Sequence, residues 1–235
     1  ILDLSAEMES RVAELTDELG GTLSIGTSTT IAAYWLPVVL ESFKRHYPRV
    51  IPRVVVGNSE LTEGRVAARD LDIGLIEIAS DDPTIDRTTI AHDELVVICS
   101  PQHPLASRSS LTAQDLQDHA LINRDSGNAI RDLAEQFFLN AGVSPETLSV
   151  SAELGSLPSV KRLVAEGLGY AIASRASIVR EVQEGQLVAI PLEPALYAPL
   201  ELILPKDKFR SRVTAVFVEH VTAGLQRMAQ ALKQG

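Results

Sequence analysis

Leu23-Ser24-Ile25-Gly26-Thr27-Ser28-Thr29-Thr30-Ile31 is the stretch on which the reading of this chain turns. Leu23, Ile25 and Thr27 alternate with Ser24 and Gly26, the period of a strand. Ser or Thr placed directly after such a strand accepts from the free N–H groups that open a helix. Those N–H groups, with the positive end of the helix dipole behind them, form a seat for a small anion or carboxylate. A second reading stands beside it, in which Ser28 or Thr29 only caps its own helix.

Working outward, Leu36, Val39, Leu40 and Phe43 give an apolar helical face, with Pro37 either starting the main helix or kinking its first turn. The apolar, β-branched run 50–56 predicts a strand covered on both faces, and Gly57-Asn58-Ser59 turns into a helix over 61–69. Asp72-Ile73-Gly74-Leu75-Ile76 is the next strand. Strand, helix, strand, helix, strand implies a parallel sheet, whose ligands gather at the carboxyl ends of the strands. A strand is expected over 95–100. The texture then changes to a second α/β unit: helix 111–118, strand 120–122, helix 130–140 and strand 150–154. Ser156 is expected to cap the helix 160–166, before a turn and strand over 167–174 and helix 178–184. Strands 187–190 and 200–204 and a closing helix over 212–232 complete it. Upstream, Leu4, Met8, Val12 and Leu15 repeat at helical spacing and predict an amphipathic connector helix.

The bulk numbers bound the class. A chain of 235 residues, 45% hydrophobic and 22% charged, holds one or two globular domains. A net charge of -10 argues against this piece gripping a phosphate backbone by itself, because that affinity comes from Lys and Arg. Cys99 stands alone in the apolar run Leu95-Val96-Val97-Ile98 and reads as a buried structural thiol. No secretory leader and no apolar run near ~20 residues is found, so the cytoplasm is the expected location. His46, His92, His103, His119 and His220 lie far apart without ligand spacing, and neither a metal nor another cofactor is expected. Nucleophile elbows and phosphate loops are absent from the sequence, which leaves enzyme chemistry unsupported. What accumulates is a set of hydroxyls, amides and one cation after strands in both halves: Ser28, Thr29, Thr30, Ser59, Arg124, Asn128, Ser156 and Ser174. Each alone is a cap or turn residue; together they are expected to converge on an interdomain cleft that binds a small molecule.

Several segments carry a family likeness in the same order. They are Thr29-Thr30-Ile31-Ala32-Ala33-Tyr34-Trp35-Leu36-Pro37, then 43–48, Gly57-Asn58-Ser59 and Leu71-Asp72-Ile73-Gly74-Leu75-Ile76. His103-Pro104-Leu105-Ala106 and Val164-Ala165-Glu166-Gly167-Leu168-Gly169 follow. The ordered set resembles the effector-binding domain of LysR-type transcriptional regulators, in the branch of sulfur-assimilation and carbon-fixation regulators. The resemblance implies an α/β fold of the type 2 periplasmic-binding-protein kind, with two subdomains joined by two crossover strands near 95–100 and 200–204. It implies that 1–19 end a linker helix, that 20–98 with 203–235 form subdomain I, and that 99–202 form subdomain II. It also implies an upstream winged helix-turn-helix through which alone DNA is bound, a small anionic effector, a homodimer or homotetramer, and no membrane. Position by position, Ser28, Thr29 and Thr30 match the effector-contacting turn, Ser59 a second contact and 172–174 a third region. Asp125-Ser126-Gly127-Asn128-Ala129 and Leu157-Pro158 depart from the branch, which points away from a sulfate-like effector and towards a carboxylate or other small anion with Arg124 as counter-charge. A periplasmic solute-binding protein of the same fold, and an enzyme on that scaffold, are the alternatives.

Overall fold

The computed structural model describes residues 19–78, 80–206 and 210–234. The expected connector helix over 4–15, and residues 1–18 of the expected linker, lie outside them. The chain divides into two compact units, Ile1–Ala91 with Pro199–Gly235 and His92–Ala198. These divisions fall at 91/92 and 198/199, earlier in both places than the expected 98/99 and 202/203.

In the first unit, β1 (Gly21–Thr27) pairs in parallel with β2 (Val50–Val56) and β3 (Ile73–Ile76), and β3 pairs antiparallel with β8 (Val188–Pro205). Between β1 and β2 runs α1 (Leu36–His46), entered through a π-turn, Ile31–Trp35. Pro37 has no N–H to give to a carbonyl four residues back, and the chain widens to a turn in which the Leu36 N–H reaches Ile31 O. Pro37 thus stands in the first turn of α1, as the reading of it as a helix start expects. α1 buries Leu36, Val39 and Phe43 against α7 (Arg212–Gln234), where Phe43 meets Phe217 edge-on, centroids 5.0 Å apart. α2 (Ser59–Ala67) starts two residues before the sequence suggests, because the Asn58 carboxamide accepts the Leu61 N–H at 2.8 Å. It lies close to β1 because residue 26 is glycine: a Cβ there would stand 2.7 Å from Thr62 Cγ2.

β2 corrects the expectation of a strand covered on both faces. Ile51 is 58% exposed and Val56 49%, since β2 is the edge of its sheet and only β1 pairs with it.

The second unit holds β5 (Leu121–Arg124) parallel to β6 (Val150–Leu154), and β7 (Ala171–Ser174) antiparallel to β4 (Ile85–Cys99). A parallel bridge between Leu121 and Tyr170 joins β5 to β7. A short α3 (Ala113–Leu116) starts from a capping box in which Thr112 and Asp115 each bond the other's backbone N–H. α4 (Ala129–Asn140) sets Ile130, Ala134, Phe137 and Phe138 into the core of this unit. α5 (Leu157–Ala165) and the short α6 (Val179–Gln183) follow, tied by the Lys161 ammonium, which donates to Ser177 O at 2.8 Å and pairs with Glu181. β4 and β8 belong to both units along their lengths. β4 begins ten residues before the expected strand, and β8 unites the two strands expected over 187–190 and 200–204. No helix among the described residues is long and apolar enough to cross a membrane.

Candidate functional site

The carboxyl ends of β1 and β2 coincide, with Thr27 opposite Val56, and β3 ends beside them. Here the chain leaves β1 through Ser28. Its N–H donates to Leu75 O at 3.3 Å and its carbonyl accepts the Ala32 N–H at 3.0 Å. Its hydroxyl accepts the Ile31 N–H at 3.2 Å and donates to the Glu77 carboxylate at 2.7 Å. The capping reading of Ser28 is therefore correct in its geometry, and the single hydroxyl proton is already given to Glu77. Thr29 is exposed, whereas Thr30 is 3% exposed and makes no side-chain cap bond. Ser59 opens α2 but leaves the capping to Asn58, and its buried hydroxyl has no hydrogen-bond partner. Thr27, fully buried at the end of β1, has an unpartnered hydroxyl as well. Buried hydroxyls without partners are uncommon and call for a bound water or ligand.

The other four expected residues lie in the second unit. Arg124, opposite Leu154 at the ends of β5 and β6, is 5% exposed; its guanidinium donates to Gly155 O at 3.1 Å and stands 3.6 Å from Asp125. Asn128 is the cap of α4, its side chain accepting the Ile130 N–H at 3.1 Å. Ser156 precedes α5 at the cap position, yet its hydroxyl makes no capping bond, contrary to expectation. Ser174 ends β7 with a buried, unpartnered hydroxyl, while its carbonyl accepts from Ser177 Oγ at 2.7 Å. The structure thus gathers Ser28, Thr29, Thr30 and Ser59 in one unit and Arg124, Asn128, Ser156 and Ser174 in the other. A cavity of about 470 Å³ in the second unit, lined by Leu121, Asn123, Arg124, Phe138, Val150 and Ile172 among others, was not foreseen.

Glu77 is the residue that sequence reasoning missed. Its signal was present: an acid between Ile76 and Ile78 at the end of a buried strand, and it is 2% exposed. Four of the five histidines stand in two pairs, His46 with His220 and His103 with His119. His103 Nδ1 accepts the Leu105 N–H, and its pKa is lowered by burial and by His119. No group of three or more His, Cys, Asp or Glu side chains suited to a metal occurs among the described residues. Cys99 is fully buried, and burial pushes its thiol up to about 11.

Residues 16–226 match the model of the LysR substrate binding domain. A probable RuBisCO transcriptional regulator of Synechocystis sp. is 28% identical over 225 residues, covering 94% of this chain and 65% of the relative. The chain thus spans just under two thirds of that relative's length. The regulatory domain of Synechocystis CcmR, solved in complex with 2-PG, superposes with a TM-score of 0.80 at 25% identity, covering 88% of this chain and 99% of that one. The effector-binding domain of QuiR, solved with shikimate, has a TM-score of 0.76 at 17% identity over 91% of this chain and 99% of that one, a likeness of fold. With the family model covering nearly its whole length, this chain belongs to the LysR family of transcriptional regulators, as the substrate-binding domain.

Proposed function

We propose that this domain senses a small anionic metabolite at the hydroxyl turn of its first unit and thereby controls DNA binding by a winged helix-turn-helix elsewhere in the full-length protein. The observation that carries the reading is the shared carboxyl edge of β1 and β2. Two buried hydroxyls without partners, Thr27 and Ser59, stand there beside the helix start that bears exposed Thr29. The complex of CcmR with 2-PG supports a ligand of this class. Arg124, Asn128, Ser156 and Ser174 are proposed contacts from the second unit, with Arg124 the least available because its guanidinium already meets Gly155 and Asp125. Control follows when the effector binds one arrangement of the regulator more tightly than another, since a ligand shifts an equilibrium only by its differential affinity. The reading entails no turnover of the effector, no cofactor and a cytoplasmic protein. The regulator names of relatives favour it over a solute-binding protein of the same fold.

Calorimetric titration with 2-phosphoglycolate, glycolate and shikimate tests the site. Thr29→Ala is expected to weaken binding of whichever probe binds by about fivefold, one neutral hydrogen bond's worth. Unchanged affinity in the variant removes the turn from the site.

We further propose a homodimer or homotetramer in which β2 is covered by a second copy. Ile51, Val54 and Val56 on the edge strand, with Leu61 beside Gly57 at its end, are exposed apolar side chains of one unit, an arrangement unfavourable for a monomer. Ile51→Lys is expected to lower the mass measured by light scattering at micromolar concentration to that of one chain. A variant of unchanged mass excludes β2 from the interface.

A further inference from the structure

We propose that Glu77 is a positioning residue that sets how much negative charge the hydroxyl turn accepts, an inference that rests on the reading of that turn as the effector site. Four hydrogen bonds fix Ser28: the N–H to Leu75 O, the carbonyl to the Ala32 N–H, and the hydroxyl between the Ile31 N–H and the Glu77 carboxylate. A serine hydroxyl has one proton, and here it points to Glu77 Oε1, 2.7 Å away. Ser28 therefore orients the helix start without offering an arriving anion a donor. The contacts left to the anion are the exposed Thr29 side chain and the N–H groups of Thr29 and Thr30 at the helix start, since those of Ser28, Ile31 and Ala32 are already bonded.

Glu77 itself is 2% exposed, so it acts through Ser28 and through its field instead of by touching the ligand. Its effect has two parts of opposite sign. Holding Ser28 in place organises the helix start, which favours every oxyanion alike. The carboxylate charge, one hydroxyl removed from the turn, disfavours anions in proportion to their own charge, because the Coulomb energy scales with the product of the two charges. The helix start attracts and Glu77 grades the attraction, so the turn discriminates a singly charged acid from a multiply charged phosphate ester. A merely structural glutamate would move the affinities of both together.

The test compares glycolate with 2-phosphoglycolate by calorimetric titration of the 235-residue chain. Glu77→Gln keeps an oxygen to accept the Ser28 proton and removes the charge. Affinity is expected to rise about fivefold per ligand charge, so that the gain for 2-phosphoglycolate exceeds that for glycolate by about fivefold or more. Glu77→Asp keeps the charge and shortens the reach to Ser28; it is expected to weaken both probes with their ratio unchanged. Where Glu77→Gln does not fold, Glu77→Met in the same comparison reads the ratio. A folded Glu77→Gln with the wild-type ratio of affinities overturns the inference. If Thr29→Ala still weakens binding in that case, the turn remains the site and only the role of Glu77 falls. Wild-type protein that binds neither probe, or a Thr29→Ala variant indifferent to both, overturns the site reading and this inference with it.

Discussion

Gly169→Ala is expected to prevent stable folding of the His92–Ala198 unit. A Cβ at this position would stand 2.1 Å from the carbonyl oxygen of Ala120 and 2.9 Å from its carbon, and φ is +152°. The obstacle is backbone, and it is pinned: the same carbonyl accepts the Tyr170 N–H at 2.9 Å, next to the bridge that joins β5 to β7. Relief of the clash would pull β5 from β7 in the middle of a core that contains Leu121, Tyr170 and Ile172. A cost above about 4 kcal/mol is expected, comparable with the whole stability of a marginal domain. Urea denaturation followed by circular dichroism measures it, with Gly64→Ala as the control. Nothing lies within 4 Å of a Cβ there, and the helix interior of α2 gains from alanine. A Gly169→Ala protein that unfolds at the wild-type midpoint would show that the approach of Ala120 is not rigid.

Phe43→Ala is the second large effect, and it reaches the site from a distance. The ring is fully buried and sits 4.9 Å from Tyr47, 5.0 Å from Phe217 and 5.3 Å from His220. Its removal takes away the edge-to-face contact with Phe217 that fastens α1 to α7, and leaves a ring-sized hole. A loss of about 3–5 kcal/mol is expected, seen as a fall in the melting temperature on the order of 10 °C. The turn 28–35 is continuous with α1, so anion affinity should fall with it even though Phe43 touches no ligand. Melting with and without 2-phosphoglycolate separates the two losses. A variant that melts lower but keeps full ligand stabilisation would show that the turn holds its geometry without α1.

Much of the fold was legible because periodicity survives wherever one face is buried and the other is not. Leu36, Val39 and Phe43, or Phe137 and Phe138, announce helices whose apolar stripes the structure buries. The alternation in β1 and the hydroxyls after it marked the strand-to-helix turn correctly. Illegible were the features set by neighbours distant in sequence. Pro52 and Arg53 in the run 50–56 are local signals of an edge strand, but the apolar, β-branched majority around them pointed to the wrong answer. The first half of β4, with Asp86, Arg87, Thr88 and Thr89, carries no apolar alternation, and its place in a sheet comes from partners such as Glu201, which accepts the Thr89 hydroxyl at 2.7 Å. β8 runs through Pro191, Pro194 and Pro199 between the two expected strands, because a strand that borrows partners from loops tolerates prolines: Leu111 supplies both bonds around Pro191 and Glu193. At the site, residue type identified the hydroxyls, yet it could not say where each proton goes. Ser28 gives its proton to Glu77, Asn58 and not Ser59 caps α2, and Arg124 is held by its own neighbours.

The placement of Cys99 has a consequence for the kind of signal these residues can receive. With a pKa near 11, a thiol at pH 7 is thiolate in only about one molecule in ten thousand, and a fully buried sulfur meets oxidants slowly even in that fraction. Cys99 is also the sole sulfhydryl of the 235 residues, so no resolving partner within them can trap an oxidised form as a disulfide. Peroxide and thiol-reactive metabolites therefore find no reactive thiol among these residues, which accords with the proposed response by reversible occupancy of a ligand.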